Sequence, residues 1–308
     1  MSTATHTSPQ GSHISRIFTI ATHAFTQLAR MKVFYFLAIF AVIAIASNFF
    51  DLPQHEGPES VGANVLRSIK SWSLGAMTLF SVVLSVVATA LLLPKDVEDR
   101  TLYTILAKPV PRFDYLAGKL LGVLLLVFVS LLMMDILMTG VLHIRTSMVV
   151  EQQQQIAQSM GWSPEAMESL KQETLANGAN WSLQGAVFAV FLRASIMASL
   201  ALLISTFSTS TLFTTIVSFL IYFIGHFQAD ARDVYLQGNE AGEGTFARLA
   251  ALLMSLILPD FQLFNVIDAV IEGQTMPLIT LGKLTLVGLY YAVFFTIASW
   301  FIFSDKEF

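Results

Sequence analysis

Long stretches with almost no charged residues constrain most strongly what this chain can fold into. Residues 33–50, 71–94 and 284–303 contain no Asp, Glu, Lys or Arg, and residues 120–142 contain only Asp135. A helix needs about 20 mainly apolar residues to cross the hydrocarbon core of a bilayer. Each of these four stretches is therefore predicted to be a membrane-spanning helix.

A fifth apolar stretch, residues 182–229, is too long for one span, and its only charged residue is Arg193. A run of Ser and Thr around residues 205–211 divides it, which predicts spans at 183–205 and 211–228 joined by a short turn. Residues 249–259 are apolar but too short to cross, so we expect a re-entrant or interfacial helix there. The prediction is an all-α integral membrane protein with six transmembrane helices in one domain, residues 13–308.

Composition agrees with this class and excludes others. Charged residues make up 12% of the chain, about half the share usual in soluble domains. The net charge of -4 gives no reason to expect nucleic acid binding. The absence of cysteine excludes disulfides and thiolate metal sites. With no HExxH motif and no paired carboxylates in a span, we expect neither a catalytic nor a metal site, and no cofactor in this chain.

The distribution of Lys and Arg predicts the orientation in the membrane. The predicted tail, the loop at 95–119, the turn at 206–211 and the C-terminus hold nine Lys or Arg in about 68 residues, against seven in about 115 residues of the opposite loops. The richer side is predicted to be cytoplasmic. Both termini would then lie on the cytoplasmic side of the plasma (inner) membrane. Residues 1–12 resemble a disordered tail, not a signal peptide.

An amphipathic helix is predicted ahead of the first span. One face would carry the apolar side chains Ile14, Ile17, Phe18, Ala21, Phe25 and Leu28, and the other Arg16, His23, Gln27 and Arg30. Such a helix lies in the membrane surface with its apolar face down. It could be a simple anchor, or it could also pack against a cytosolic partner.

The charged segment at residues 94–122 separates the second and third predicted spans. Residues 96–108 can form a short helix, which Pro109 would end, and Pro109 and Pro111 would make a stiff elbow. A helix held by such an elbow beneath the membrane could transmit motion to the spans. The simpler alternative is a solvated basic loop that only satisfies the positive-inside rule.

Three motifs carry a resemblance to a known family. The first runs from Ile20 to Tyr35, and the third is the sequence LPDFQLFN at residues 258–265. The second comprises Glu98, Arg100, Thr101, Leu106, Lys108, Pro109, Arg112, Gly118 and Lys119. In this order they resemble the permease subunits of ABC-2 type transporters, in particular those described as multicopper-enzyme maturation permeases. Pro111 departs from the pattern, because the family usually has Ser at that position.

The resemblance implies a permease subunit of an ATP-driven transporter, and specifically an exporter. It implies pairing with a second permease subunit and docking on a separate ABC ATPase subunit, which would hold ATP and Mg²⁺, since this chain has no GxxxxGK[ST] motif. The predicted docking residues are Glu98, Arg100, Thr101, Leu102, Tyr103, Ile105, Lys108, Pro109 and Arg112. The alternatives are an ATP-independent secondary transporter or channel, and a membrane scaffold in extracytoplasmic enzyme maturation.

Two charges inside the predicted spans require an explanation, because such groups are costly in lipid and are usually paired or functional. Counted from the predicted outer ends of their spans, Asp135 and Arg193 lie at similar depth. We therefore expect a salt bridge between them, with separate contact to a wet cavity as the alternative. The outer loop at 143–181 is expected to contain a helix at 163–175, with Ser163 as its cap. The substrate is left open.

Overall fold

The computed structural model describes residues 13–46, 61–98, 111–208, 210–237 and 257–305, and these residues are helical, with no strand among them. The helices are α1 (His13–Ala29), α2 (Lys32–Ala46), α3 (Val61–Glu98), α4 (Arg112–Ser159), α5 (Pro164–Ala176), α6 (Trp181–Phe207), α7 (Thr211–Gln237), α8 (Ile267–Ile271) and α9 (Leu278–Asp305). A short 3-10 helix, Gln262–Phe264, precedes α8.

Five helices of the described structure, α3, α4, α6, α7 and α9, are long and apolar enough to cross a membrane. The protein is therefore a membrane-embedded helical protein, and five of the six predicted spans are confirmed at this level. The described part of the first predicted span is α2, with 15 residues. That length is about 22 Å, short of a hydrocarbon core of about 30 Å.

Helix α6 forms the centre of the bundle. It is apolar around its whole circumference, and a helix of that kind is normally buried on all sides. Its buried residues face α3, α4 and α9. A small residue lets α9 approach α6 closely, because a methyl group added at Gly288 of α9 would meet Leu192 of α6 at 3.2 Å.

Helix α4 is much longer than the predicted span at 120–142. It has 48 residues and continues without interruption to Ser159. The segment predicted as an outer loop, 143–181, is therefore largely helical. It folds as a hairpin of the α4 extension and α5, in which the Thr174 hydroxyl donates to Gln153 Oε1 at 2.7 Å.

The helix predicted at 163–175 is confirmed as α5. The Ser163 side chain accepts a hydrogen bond from the Ala166 amide at 3.3 Å, and Pro164 occupies the first turn. Gly161, with φ of 70°, allows the chain to turn after α4. The amides of Gly161 and Trp162 then satisfy carbonyl groups in the last turn of α4.

We call the two ends of the bundle the terminus end and the α5 end. The terminus end carries α1, the start of α4 and the end of α9, while the α5 end carries α5 and the start of α6. The predicted short turn between the two spans is confirmed at the terminus end, where α6 ends at Phe207 and α7 begins at Thr211. Most of the predicted re-entrant helix at 249–259 lies outside the described residues.

The described chain at residues 257–271 contains the 3-10 helix and α8 joined by irregular backbone. Phe261 and Phe264 are buried there. Where backbone polar groups are buried away from water, they need partners from the protein. The Phe261 amide donates to the Gly225 carbonyl at 3.2 Å, and the Tyr291 hydroxyl donates to the Leu258 carbonyl at 3.2 Å. Gly225 is required here because a Cβ at this position would lie 2.6 Å from the Pro259 carbonyl oxygen.

Candidate functional site

Most of the predicted docking residues lie outside the described residues. Arg100, Thr101, Leu102, Tyr103, Ile105, Lys108 and Pro109 belong to this group. Glu98 is the last residue of α3, and Arg112 is the first residue of α4. The described structure therefore shows only the two helix ends, Glu98 and Arg112, between which the predicted docking segment lies.

Arg112 binds the end of another spanning helix. Its Nη1 donates to the carbonyl oxygen of Phe303 at 2.9 Å and also to that of Ser304, both in the last turn of α9. A cation at a helix C-terminus satisfies carbonyl groups and interacts favourably with the helix dipole. The buried Tyr115 ring stacks on Phe303 beside this contact, with ring centroids 6.1 Å apart.

Asp114 joins α4 to α1. It is only 2% exposed, and its carboxylate binds Arg16 Nε at 3.3 Å and His13 Nδ1 at 3.0 Å. Its position in the first turn of α4 also favours a negative charge. The first turn of α4 is thus fixed to α1 through Asp114 and to α9 through Arg112.

Two glycines let α1 lie directly on α4. A Cβ at Gly118 would come within 2.7 Å of the Ile20 Cβ, and one at Gly122 would come within 2.6 Å of the Ala24 Cβ. The face of α1 that packs on α4 contains Ala21, Ala24 and Leu28, which are buried. Part of the predicted apolar stripe, Ile14 and Phe18, remains exposed.

The structure does not bring Asp135 and Arg193 together. Asp135 Oδ1 accepts a hydrogen bond from Gln184 Nε2 at 3.2 Å, so Asp135 lies level with the start of α6. Arg193 is nine residues further along α6, which is about 13 Å. The depths predicted from the sequence were misaligned because α4 does not end at residue 142 but continues to Ser159.

Arg193 instead reaches the irregular segment before α8. Its Nη2 donates to the Phe261 carbonyl at 3.3 Å, and the Tyr222 phenol lies beside its guanidinium. The side chain is buried, with 4% of the residue exposed, and its Nε has no hydrogen-bond partner. Within the described part of the chain, no carboxylate forms an ion pair with it. Phe261 was not among the residues singled out from the sequence as functional.

Arg193 lines a cavity of about 490 Å³ between α3, α7 and the segment around α8. Ser71, Thr78, Arg193, Tyr222, Asn265 and Asp268 provide its polar lining, and Gly75, Leu79, Val82, Val83, Phe219, Phe223, Ile267 and Ile271 provide the rest. A largely apolar pocket with a few converging polar groups is typical of small-molecule sites. This cavity is the candidate binding site of the protein.

A second buried cation, Lys70, directly precedes the predicted span at 71–94. The structure places it inside α3 with 0% exposure, on the helix face that also carries the buried Leu66 and Leu74. Its Nζ has no hydrogen-bond partner. The burial of Lys70 was not predicted from the sequence, because α3 begins at Val61, well before the apolar stretch at 71–94, and Lys70 lies inside the helix.

The candidate site is therefore a polar cavity in a membrane-embedded helical bundle. Among the described residues, no group of three or more His, Cys, Asp or Glu side chains could hold a metal ion. No family model and no curated protein matches the chain. The likeness to ABC-2 permeases thus depends on the quoted motifs. Among the described motif residues, Lys119 is buried, with its Nζ 5.7 Å from the centroid of the Tyr115 ring.

Proposed function

We propose that this chain is the permease subunit of an ABC-2 type ATP-driven exporter, coupled through residues 96–112 to a separate ATPase subunit. One observation supports this proposal most directly. The residue that ends the docking segment, Arg112, binds α9, and Asp114 in the same turn binds α1. A force applied to the docking segment would therefore act on α1, α4 and α9 together.

The proposal includes the finer topology. In it residues 33–50 are the first of six spans, the terminus end lies on the cytoplasmic side of the plasma (inner) membrane, and α1 lies in the cytoplasmic surface of that membrane. The exposed Ile14 and Phe18 of α1 support the last point, because apolar side chains on that helix would enter lipid. The exposed apolar faces of α7 and α9 would contact lipid or a second permease subunit.

Docking by Arg112 itself has less support than docking by the preceding residues. Its guanidinium is occupied by the α9 carbonyl groups, so a substitution there would disturb the fold as well as any interface. Arg100 and Leu102 are the better test positions, with Lys171 of α5 as a charge control at the opposite end of the bundle.

The test is co-purification of the full chain with a co-expressed candidate ATPase, followed by ATPase activity in proteoliposomes. Arg100→Glu and Leu102→Asp should abolish co-purification and stimulated turnover, while Lys171→Glu should change neither, and all three should insert into the membrane equally. Normal ATPase association of both docking variants would overturn the proposed coupling.

A secondary transporter is the second candidate, and the cavity around Arg193 is the observation that favours it. A charged group in a mid-membrane cavity is common in ion-coupled carriers. Substrate flux in vesicles that depends on an ion gradient and not on ATP would support this alternative. Flux that requires the ATPase would exclude it.

A further inference from the structure

The cavity contains a cation, Arg193, that forms no ion pair with a described carboxylate, although Asp268 lines the same cavity. Arg193 Nη2 donates to the neutral Phe261 carbonyl, the neutral Tyr222 phenol lies beside the guanidinium, and Nε donates to nothing. Burying a charge without a counter-charge is unfavourable, so such groups in membrane segments usually serve a ligand or a pathway. The missing partner would be an anion.

The residues around Arg193 would suit an amphiphile, which is a ligand with an anionic group and an apolar body. The Tyr222 hydroxyl lines the cavity with Arg193 and can donate a hydrogen bond to an anionic oxygen, whereas the Thr78 hydroxyl already donates to the Leu74 carbonyl at 2.8 Å. The neighbouring wall is apolar and is formed by Leu79, Val82, Val83, Phe219 and Phe223. A ligand with an anionic group and an apolar body would match both parts.

The rim of the cavity is exposed on the apolar surface of the bundle. Leu79 of α3 and Phe223 of α7 line the cavity, yet they are 57% and 60% exposed. Both belong to helices apolar enough to span a membrane. A hydrocarbon chain could therefore pass between α3 and α7 directly from the bilayer.

An acidic residue limits where the anion can sit. Asp268 lines the part of the cavity formed by α8, and its Oδ2 accepts a hydrogen bond from Asn265 Nδ2 at 3.0 Å. Its negative charge would repel an anion, whereas Arg193 would attract one. The two charges together direct the anionic group to the Arg193 side.

We propose that this cavity binds a single-chain anionic amphiphile, with its carboxylate or phosphate monoester on Arg193 and its chain along Leu79, Val83 and Phe223. Only the identification of this amphiphile as the substrate class rests on the proposed transport function. Binding itself needs neither ATP nor the ATPase.

The probe is palmitate carrying a diazirine on its chain, added to the full chain in nanodiscs of phosphatidylcholine without any ATPase. Photolabelling should map to α3 around residues 79–83 or to α7 around residues 219–223. Unlabelled palmitate and hexadecyl phosphate should compete. The matching diazirine-bearing palmityl alcohol should label these residues at least fivefold less.

Two variants test the site in different ways. Arg193→Gln should weaken palmitate labelling about tenfold or more, because it removes a charged hydrogen-bond donor. Gly75→Leu keeps Arg193 but fills the cavity, and its side chain meets no atom within 4 Å at Cβ, so it should fold and lose labelling. Asp135→Asn and Gly140→Leu are the matched controls outside the cavity, and both should label normally.

Several outcomes would overturn the inference. Equal labelling by the alcohol would mean an unselective apolar groove. Competition by acetate or inorganic phosphate as strong as by palmitate would mean a site for free anions. Normal labelling of Gly75→Leu would place the ligand elsewhere. If labelling behaves as expected while no ATPase associates, the binding site stands and the proposed coupling fails.

Discussion

The guanidinium of Arg112 lies 2.9 Å from the carbonyl oxygen of Phe303, although 190 residues separate the two positions in the chain. This contact joins the first residue of α4 to the last turn of α9. It closes the terminus end of the bundle at the point where the proposed docking segment ends.

Replacing Arg112 by Gln should destabilise the protein by about 1–2 kcal/mol, because a charged donor and a favourable helix-dipole interaction are lost. Thermal unfolding in detergent would measure the loss. Lys171→Gln is the control, since its only described ion pair is an exposed one with Glu168 at 3.8 Å. Equal midpoints for the two variants would contradict a structural role of Arg112.

Replacing Gly122 by Ala should loosen α1 from α4. The new methyl group would lie 2.6 Å from the Ala24 Cβ and 2.8 Å from the Ala21 carbonyl oxygen, so the helices must separate. Overpacking of this kind costs about 1–3 kcal/mol. The readout is a faster tryptic cleavage after Arg30.

The control for that experiment is Gly140→Ala in the same helix. A Cβ there meets nothing within 4 Å, and Ala is favoured over Gly in a helix by about 1 kcal/mol. This variant should be as stable as the parent or more stable, with unchanged cleavage. Unchanged cleavage in Gly122→Ala as well would refute close packing of α1.

A double-mutant cycle can separate the two intramembrane charges. Asp135→Leu and Gln184→Met should be coupled by at least about 0.5 kcal/mol, because each change removes one partner of a shared hydrogen bond, whereas Asp135→Leu and Arg193→Gln should add within about 0.5 kcal/mol. The measurement is unfolding by detergent titration. Strong coupling between Asp135 and Arg193 would restore the salt bridge expected from the sequence.

Replacing Lys70 by Met should stabilise the protein by at least about 1 kcal/mol, because the buried Nζ has no hydrogen-bond partner and Met fills a similar volume. The thermal midpoint should rise. Lys283→Met, at an exposed position of α9, should leave the midpoint unchanged. A lower midpoint for Lys70→Met would show that the ammonium group has a role in the folded protein.

The sequence predicted local features well, since these depend on near neighbours along the chain. The apolar stretches predicted α3, α4, α6, α7 and α9, and Ser163 with Pro164 predicted the start of α5. The end of α4 was missed because helix continues through the polar residues 151–159, where packing against α5 stabilises it. The apolar content of a segment indicates which residues can lie in the membrane, but it does not indicate where the helix ends.

The candidate site was predicted only in part. Arg193 was recognisable as a charge in an apolar stretch, but its partner Phe261 contributes only a backbone carbonyl, which no side-chain pattern can reveal. The cavity depends on how α3, α7 and α8 meet, and such long-range packing has no signature in one sequence. The same holds for Gly118 and Gly122, whose contact with α1 is visible only in three dimensions.

The uninterrupted length of α4 has a mechanical consequence. A helix of 48 residues is a rod about 72 Å long, and the fixed contacts at Arg112 and Asp114 lie at one tip while the hairpin with α5 lies at the other. A tilt of about 5° about the Arg112 tip would move the far tip by about 6 Å. A small reorientation of α4 at the Arg112 tip, on one side of the membrane, would thus displace the hairpin on the other side.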